Sequence, residues 1–264
     1  MQAKCIRRLI LETVTQAKAS HIGSALSIVD ILVSLYTEIS VRPQNPNWDD
    51  RDRFILSKGH ACVAVYAILV ELGFFPKDEL LSYGQDHSRL MNHISHKVPG
   101  VEFSTGSLGH GLPFGAGKAL SAKRQEKRWR TVVLMSDGEL NEGSNWEALM
   151  FAAHHKLDNL VGIIDYNKLQ SITSVAETLG LEPLVDKLTS FGWSVKEVDG
   201  HNHGDLVKAF QNIPWESGKP SMLIAHTLKG KGVSFMENKV EWHYRSPNKE
   251  QFGKAIAELE SRGA

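Results

Sequence analysis

The chain has 264 residues, 42% of them apolar, and carries 30 Lys plus Arg against 30 Asp plus Glu. That is enough chain and core material for one large α/β domain or two small ones. The balanced charge gives no field that would draw nucleic acid or a membrane surface, and no apolar run is long enough to span a bilayer.

Residues 1–8 are charged and lack the apolar core of a signal peptide. Cys5 and Cys62 show no spacing motif, so a reducing, cytoplasmic setting fits better than a disulfide framework. Residues 3–18 place Ile6, Leu9, Ile10 and Val14 at helical spacing. After a break that carries His21, Ser24 can cap a second helix with Ile28, Ile31, Leu32 and Leu35 in register. Residues 41–50 are turn-rich and predict a surface loop. A short strand over 53–56 runs into Ser57-Lys58-Gly59-His60 and a helix over 61–72. Residues 84–111 predict a long irregular loop containing His87, His93 and His96, and loops of this length are commonly functional. Its Gly-rich end, 104–111, can form an anion nest, while the histidines lack zinc-ligand spacing. A helix over 112–122 follows, with Gly115, Ala116 and Gly117 small enough for close packing.

Residues 136–169 organise the chain. An apolar run at 132–135 leads into Ser136-Asp137-Gly138, and a second at 160–164 leads into Asp165-Tyr166-Asn167. One helix length separates them. Strands joined by such a crossover lie parallel and open at the same sheet edge, where ligands of α/β sheets collect. Asp137 and Asn167 would face one another there with oxygen ligands of the kind Mg²⁺ or Ca²⁺ prefers. Gly138 allows close backbone approach, and the following helix start offers free N–H groups. The unit therefore predicts a diphosphate held through a hard divalent cation. Beyond it, a loop over 170–182, a helix over 183–191, a strand over 193–198, a helix over 204–212 and a strand over 222–226 continue the parallel sheet. Lys229-Gly230-Lys231-Gly232 has the composition of a phosphate loop but fits an exposed loop better. Residues 248–262 form an amphipathic closing helix capped by Asn248.

Together these pieces resemble the N-terminal half of a transketolase, a thiamine diphosphate enzyme. The matching stretches are Ser20-His21-Ile22-Gly23-Ser24, Leu56-Ser57-Lys58-Gly59-His60-Ala61, Val98-Pro99-Gly100-Val101-Glu102 and Ser104-Thr105-Gly106-Ser107-Leu108-Gly109. The unit at 136–169 corresponds to the family's Gly-Asp-Gly motif and its distant Asn. The stretch 230–237 with Glu241-Trp242-His243 closes the series, so the resemblance covers nearly the whole chain.

The resemblance implies a single thiamine diphosphate-binding domain over 1–264, an α/β parallel-sheet fold with helices on both faces. It implies that Asp137, Asn167 and the Leu169 carbonyl bind Mg²⁺ or Ca²⁺, and that Gly138 lends its N–H to the diphosphate. His60 and His243 would lie near the diphosphate and the reacting carbon, and Gly106 and Leu108 would line the ring pocket. His21 and His93 would bond hydroxyls of a two-carbon unit and move protons, work suited to imidazole near neutral pH. Glu142 matches a family position at the subunit interface. The implied activity is transfer of a two-carbon ketol unit from a ketose to an aldose, with the cofactor as electron sink.

Three departures qualify the match. Ser136 replaces the motif's first glycine, where a small residue still fits a strand end. His110 stands where glutamine is expected, so that polar contact does not carry over. The chain also stops before the domain that, in the family, binds the aminopyrimidine and supplies the activating glutamate. Its closing Ser261-Arg262-Gly263-Ala264 reads as a natural end. The expectation is a split enzyme: this chain with a C-terminal transketolase subunit, two copies of each in an α2β2 heterotetramer. The competing expectations are a subunit of another thiamine diphosphate enzyme, either deoxyxylulose phosphate synthase-like or a 2-oxo acid dehydrogenase α subunit, and a non-catalytic cofactor-binding scaffold. The histidine set with Met236-Glu237 and Trp242-His243 favours transketolase.

Overall fold

Five short apolar runs become the five strands of one parallel sheet in the computed structural model, which describes residues 2–261. The strands are β1 (Arg53–Leu56), β2 (Thr131–Ser136), β3 (Leu160–Tyr166), β4 (Ser194–Asp199) and β5 (Ser221–His226), in the spatial order β1-β2-β3-β5-β4. Neighbours pair in parallel throughout, with Ser136 opposite Asp165 and Tyr166 opposite His226. Side chains of a strand alternate between faces. Val132, Leu134, Val161, Ile163 and Leu223 therefore enter one core, while Val133, Met135, Leu160, Ile164 and Ile224 enter the other. Strands buried on both faces need helices on both, as the sequence predicts.

The helices are α1 (Ala3–Ala17), α2 (Ile22–Ser27), α3 (Val29–Leu35), α4 (Cys62–Glu71), α5 (Gly111–Arg124), α6 (Gly143–His154), α7 (Val175–Leu179), α8 (Leu184–Ser190), α9 (His203–Gln211) and α10 (Lys249–Ser261). In the described residues, no helix is long and apolar enough to cross a membrane. The side chain of Asn202 caps α9 by accepting from Asp205 N at 3.2 Å, and Asn248 accepts from Gln251 N at 2.9 Å at the start of α10. Arg262 and the last two residues of the chain lie outside the described residues.

Several expectations need correction. Ser24 does not cap a helix. It is buried inside α2, and the predicted single helix is two, α2 and α3, meeting at Ile28. The loop predicted over 170–182 contains α7, which a capping box of Ser174 and Glu177 starts. Of the three small residues in α5, Gly115 and Ala116 are buried toward the sheet. A Cβ on Gly115 would come within 2.5 Å of Val133, whereas Gly117 faces open space. The helix expected directly after Gly138 is delayed: a 3-10 turn, Gly138–Asn141, intervenes before α6.

Candidate active site

Parallel strands bring the residues after β1, β2, β3 and β5 to one sheet edge, and a cavity of about 250 Å³ opens there. Every residue that the sequence puts forward for catalysis, cofactor or metal lines it: His21, His60, His93 and His243; Gly106 and Leu108; Asp137, Gly138, Asn167 and Leu169. Glu142 and His110 do not. Glu142 sits at the N-terminal cap of α6, and exposed His110 bonds the Leu108 carbonyl through Nδ1 at 2.9 Å.

The floor is built on two aspartates at neighbouring strand ends. Asp165 is fully buried, and burial opposes its ionisation. Lys58, itself fully buried, reaches its Oδ2 at 2.6 Å, and Ser27 donates to Oδ1 at 2.6 Å with Thr227 beside it. These groups hold the Asp165 carboxyl below its ordinary range. Asp137 is only 1% exposed and lacks such help. Its oxygens accept Gly138 N at 2.7 Å and Lys168 N at 2.5 Å, and among the described residues it has no ion-pair partner. Burial and the charge of Asp165 push it up to about 7.

Asn167 is oriented by the same hub. A carboxylate only accepts hydrogen bonds, so the contact of Asn167 Nδ2 with Asp165 Oδ2 at 2.8 Å fixes the NH₂ there. The amide oxygen is thereby turned the other way, where it accepts Leu169 N at 3.1 Å and keeps a lone pair. Asp137 and Asn167 thus offer oxygen donors from two strand ends, with the Leu169 carbonyl on the same cavity wall. A buried carboxylate without a cation suits a hard divalent ion, so the donor set fits one. Gly138 N, expected to meet a diphosphate, donates to Asp137 Oδ1 in this structure.

The rim is imidazole. His21 lies at the N-cap of α2 with φ 68°, and its N–H donates to the His243 carbonyl at 2.7 Å. Its ring centroid is 5.0 Å from His243, 5.1 Å from His60 and 5.8 Å from His93. Burial, then the positive neighbours, lower His21 to about 4 and His243 to about 3. His60 is held well below its ordinary value for the same reasons. These three rings are therefore neutral at pH 7. Lys229 Nζ, only a donor, contacts His243 Nδ1 at 3.0 Å. That assigns the proton of His243 to Nε2.

Lys58, Lys229 and Asp165 are the residues that sequence reasoning missed. Lys229 reads as an exposed loop lysine yet is 1% exposed and donates to the carbonyls of Leu169 and Gln170 at 3.1 and 2.9 Å. Burial lowers it to about 8. The signal that could have found them is position: each is a charged residue at the end of an apolar run whose neighbours bury it.

This edge of the α/β domain thus collects four imidazoles, three of them neutral at pH 7, beside a set of oxygen donors of the kind a hard cation takes. The family model described as "Transketolase, thiamine diphosphate binding domain" matches residues 1–255. An apulose-4-phosphate transketolase subunit of Phocaeicola vulgatus is 43% identical over 263 residues, covering 99% of this chain and 94% of that protein. The 6-deoxy-6-sulfo-D-fructose transketolase subunit SqwG of Clostridium sp. is 40% identical, covering 100% and 96%. Among solved structures, transketolase from Campylobacter jejuni superposes with a TM-score of 0.92 at 30% identity, covering 98% of this chain and 42% of that one. The chain thus spans about two fifths of the length of that solved transketolase. The chain belongs to the transketolase family, as its thiamine diphosphate-binding, N-terminal part.

Proposed function

We propose that this chain is the N-terminal subunit of a two-chain transketolase, in which a separate C-terminal subunit carries the pyrimidine-binding and C-terminal domains. The complex moves a two-carbon ketol unit from a ketose or ketose phosphate to an aldose or aldose phosphate. The observation that carries this reading is the convergence of the four histidines and the Asp137–Asn167–Leu169 donor set on one cavity. The partner is supported by the relatives from Phocaeicola vulgatus and Clostridium, both of which are named as transketolase subunits and nearly covered by this chain. An α2β2 assembly in the cytoplasm is the arrangement proposed.

Thiamine diphosphate, when bound, supplies the electron sink for the two-carbon unit. Asp137, the Asn167 amide oxygen and the Leu169 carbonyl would hold Mg²⁺ or Ca²⁺ beside its diphosphate. Asp165 and Lys58 keep the Asn167 oxygen directed away from its NH₂ partner. Lys229 keeps His243 in the Nε2–H form, a donor toward the cavity. His21 and His93 hold hydroxyls of the sugar, and His21, as a neutral imidazole, can accept a proton at one nitrogen while donating at the other. His60 stands 5.6 Å from His243 and completes the buried side of the rim.

The test is reconstitution. The chain is purified alone and with the product of the adjacent gene, and both preparations are assayed for ketol transfer with thiamine diphosphate and Mg²⁺. Activity only in the mixture is expected. Full activity of the lone chain would overturn the two-chain reading, and keto-acid decarboxylation without ketol transfer would assign the complex to a different thiamine diphosphate reaction.

A further inference from the structure

The cavity has a diphosphate end, at Asp137, and a ring end, at Gly106 and Leu108. One buried side chain joins them. Glu139 follows Asp137 on the 3-10 turn, is fully buried, and has no ion-pair partner among the described residues. Its Oε1 accepts Gly109 N at 2.9 Å and the Ser57 hydroxyl, and its Oε2 accepts Ser136 N at 3.3 Å. The Ser57 oxygen accepts in turn from Gly111 N at 3.1 Å.

These bonds fix one end of the loop that carries Gly106 and Leu108. Gly109 is held on both sides, its N–H by Glu139 and its carbonyl by Ser144 Oγ at 2.6 Å. The fit has no slack. A Cβ on Gly109, whose φ is +81°, would come within 2.7 Å of the Glu142 side chain, and one on Gly111 within 2.2 Å of Ser57 Oγ. The other end is fixed by Thr105 Oγ1, which donates to the Leu56 carbonyl at 2.5 Å. Only Gly106, Ser107 and Leu108 lie between the two clamps.

A carboxylate is a costly group to bury without a cation. Stability gives no reason for one here, but geometry does. Three donors from three chain segments converge on Glu139, and only a carboxylate turns two oxygens toward them as pure acceptors. An amide of the same shape would oppose one N–H with its own NH₂.

We propose that Glu139 is a positioning residue that holds the Gly106–Leu108 loop at a fixed distance from the Asp137 turn, so that this domain's share of the ring contact stays in register with its diphosphate contact. The inference rests on the thiamine diphosphate reading above. Its test compares two probes, thiamine diphosphate and inorganic diphosphate, titrated calorimetrically with Mg²⁺ into the reconstituted two-chain complex. Wild type should bind thiamine diphosphate more tightly than inorganic diphosphate. Glu139→Ala, which removes both acceptor oxygens, should weaken thiamine diphosphate about tenfold and leave inorganic diphosphate unchanged. Ser144→Ala, which releases the same glycine from its other side, should act in the same direction and less. It decides the matter by the same ratio should Glu139→Ala fail to fold. A merely structural role would lower the melting temperature without changing that ratio. Equal loss of both probes, or of neither, overturns the proposal alone. Binding of neither probe by wild type overturns the cofactor reading and the proposal with it.

Discussion

The two ends of the sheet treat buried charge in opposite ways. At the amino end, Asp52 accepts Ser40 N at 2.9 Å, Arg130 N at 2.7 Å and Arg130 Nη2 at 3.0 Å. Glu102 there meets Arg51 and Arg53, and Lys118 at 2.8 Å. At the carboxyl end, Asp165 is paired with Lys58, whereas Asp137 and Glu139 feel Lys58 from a distance and have no ion-pair partner among the described residues. The amino end also has the larger cavity, about 560 Å³ against about 250 Å³. Cavity size therefore does not mark the site. Buried charge without an ion-pair partner does, because a group that weakens the empty fold persists where something else completes it.

The sharpest way to break this comparison is inside the carboxyl end. Lys58→Met should leave Asp165 as an unpaired buried charge and cost about 3–5 kcal/mol in chemical denaturation. Adding Asp165→Asn should recover much of that loss, since the pair costs more to break than to remove. If the single substitution is mild, Asp165 is not held by Lys58 and its contrast with Asp137 disappears.

Asp137 should matter more to binding than to the empty fold. Asp137→Asn removes a charge that repels Asp165 but turns its NH₂ against Gly138 N or Lys168 N, so the two effects offset and the metal-free chain should change by less than about 1 kcal/mol in thermal melts. The same substitution should weaken Mg²⁺-dependent thiamine diphosphate binding by about 100-fold, read by calorimetry. A loss of stability together with full binding would make Asp137 an ordinary strand-end residue. At the amino end, Asp52→Ala should show the reverse pattern. It strands two N–H groups and Arg130, costs about 2 kcal/mol, and leaves the cofactor constant unchanged.

Much of this arrangement is legible in the sequence, and the part that is not has a physical reason. The strands follow from apolar runs, and all five lie within one or two residues of their predicted positions. The helix α7 escapes because five residues show no period, and its one local sign is the Ser174–Glu177 box. Ser24 looks like a cap because its side chain suits that role, but packing buries it in α2. Motifs carry the histidines, Asp137 and Asn167. They do not carry the compensation of charge, because Lys58 and Asp165 stand 107 positions apart and Glu139 and Gly109 stand 30 apart. Which carboxylate meets a lysine is decided by strand order, and strand order is a property of the whole fold.

The smallest expected effect concerns the rim, where the charge is withheld rather than unpaired. His21 is lowered to about 4 by burial, and then by His93, Lys229 and Lys58. In the unfolded chain its pKa returns to the ordinary 6.5. Below that pH the unfolded state takes up a proton that the folded state refuses. The contribution of His21 is therefore complete above about pH 6.5 and is lost as the pH falls toward about 4. Asp137 acts with the opposite sign over part of this range, since its folded value is raised to about 7. The useful readout is the difference between wild type and His21→Gln, in which Asp137 is common to both. Thermal melts should show the wild type losing about 1 kcal/mol more than the variant between pH 6.5 and about pH 5, after allowance for the partial exposure of the ring. Parallel curves would mean that water reaches His21 freely, and the rim would then be no more a site than the paired charges at the other end of the sheet.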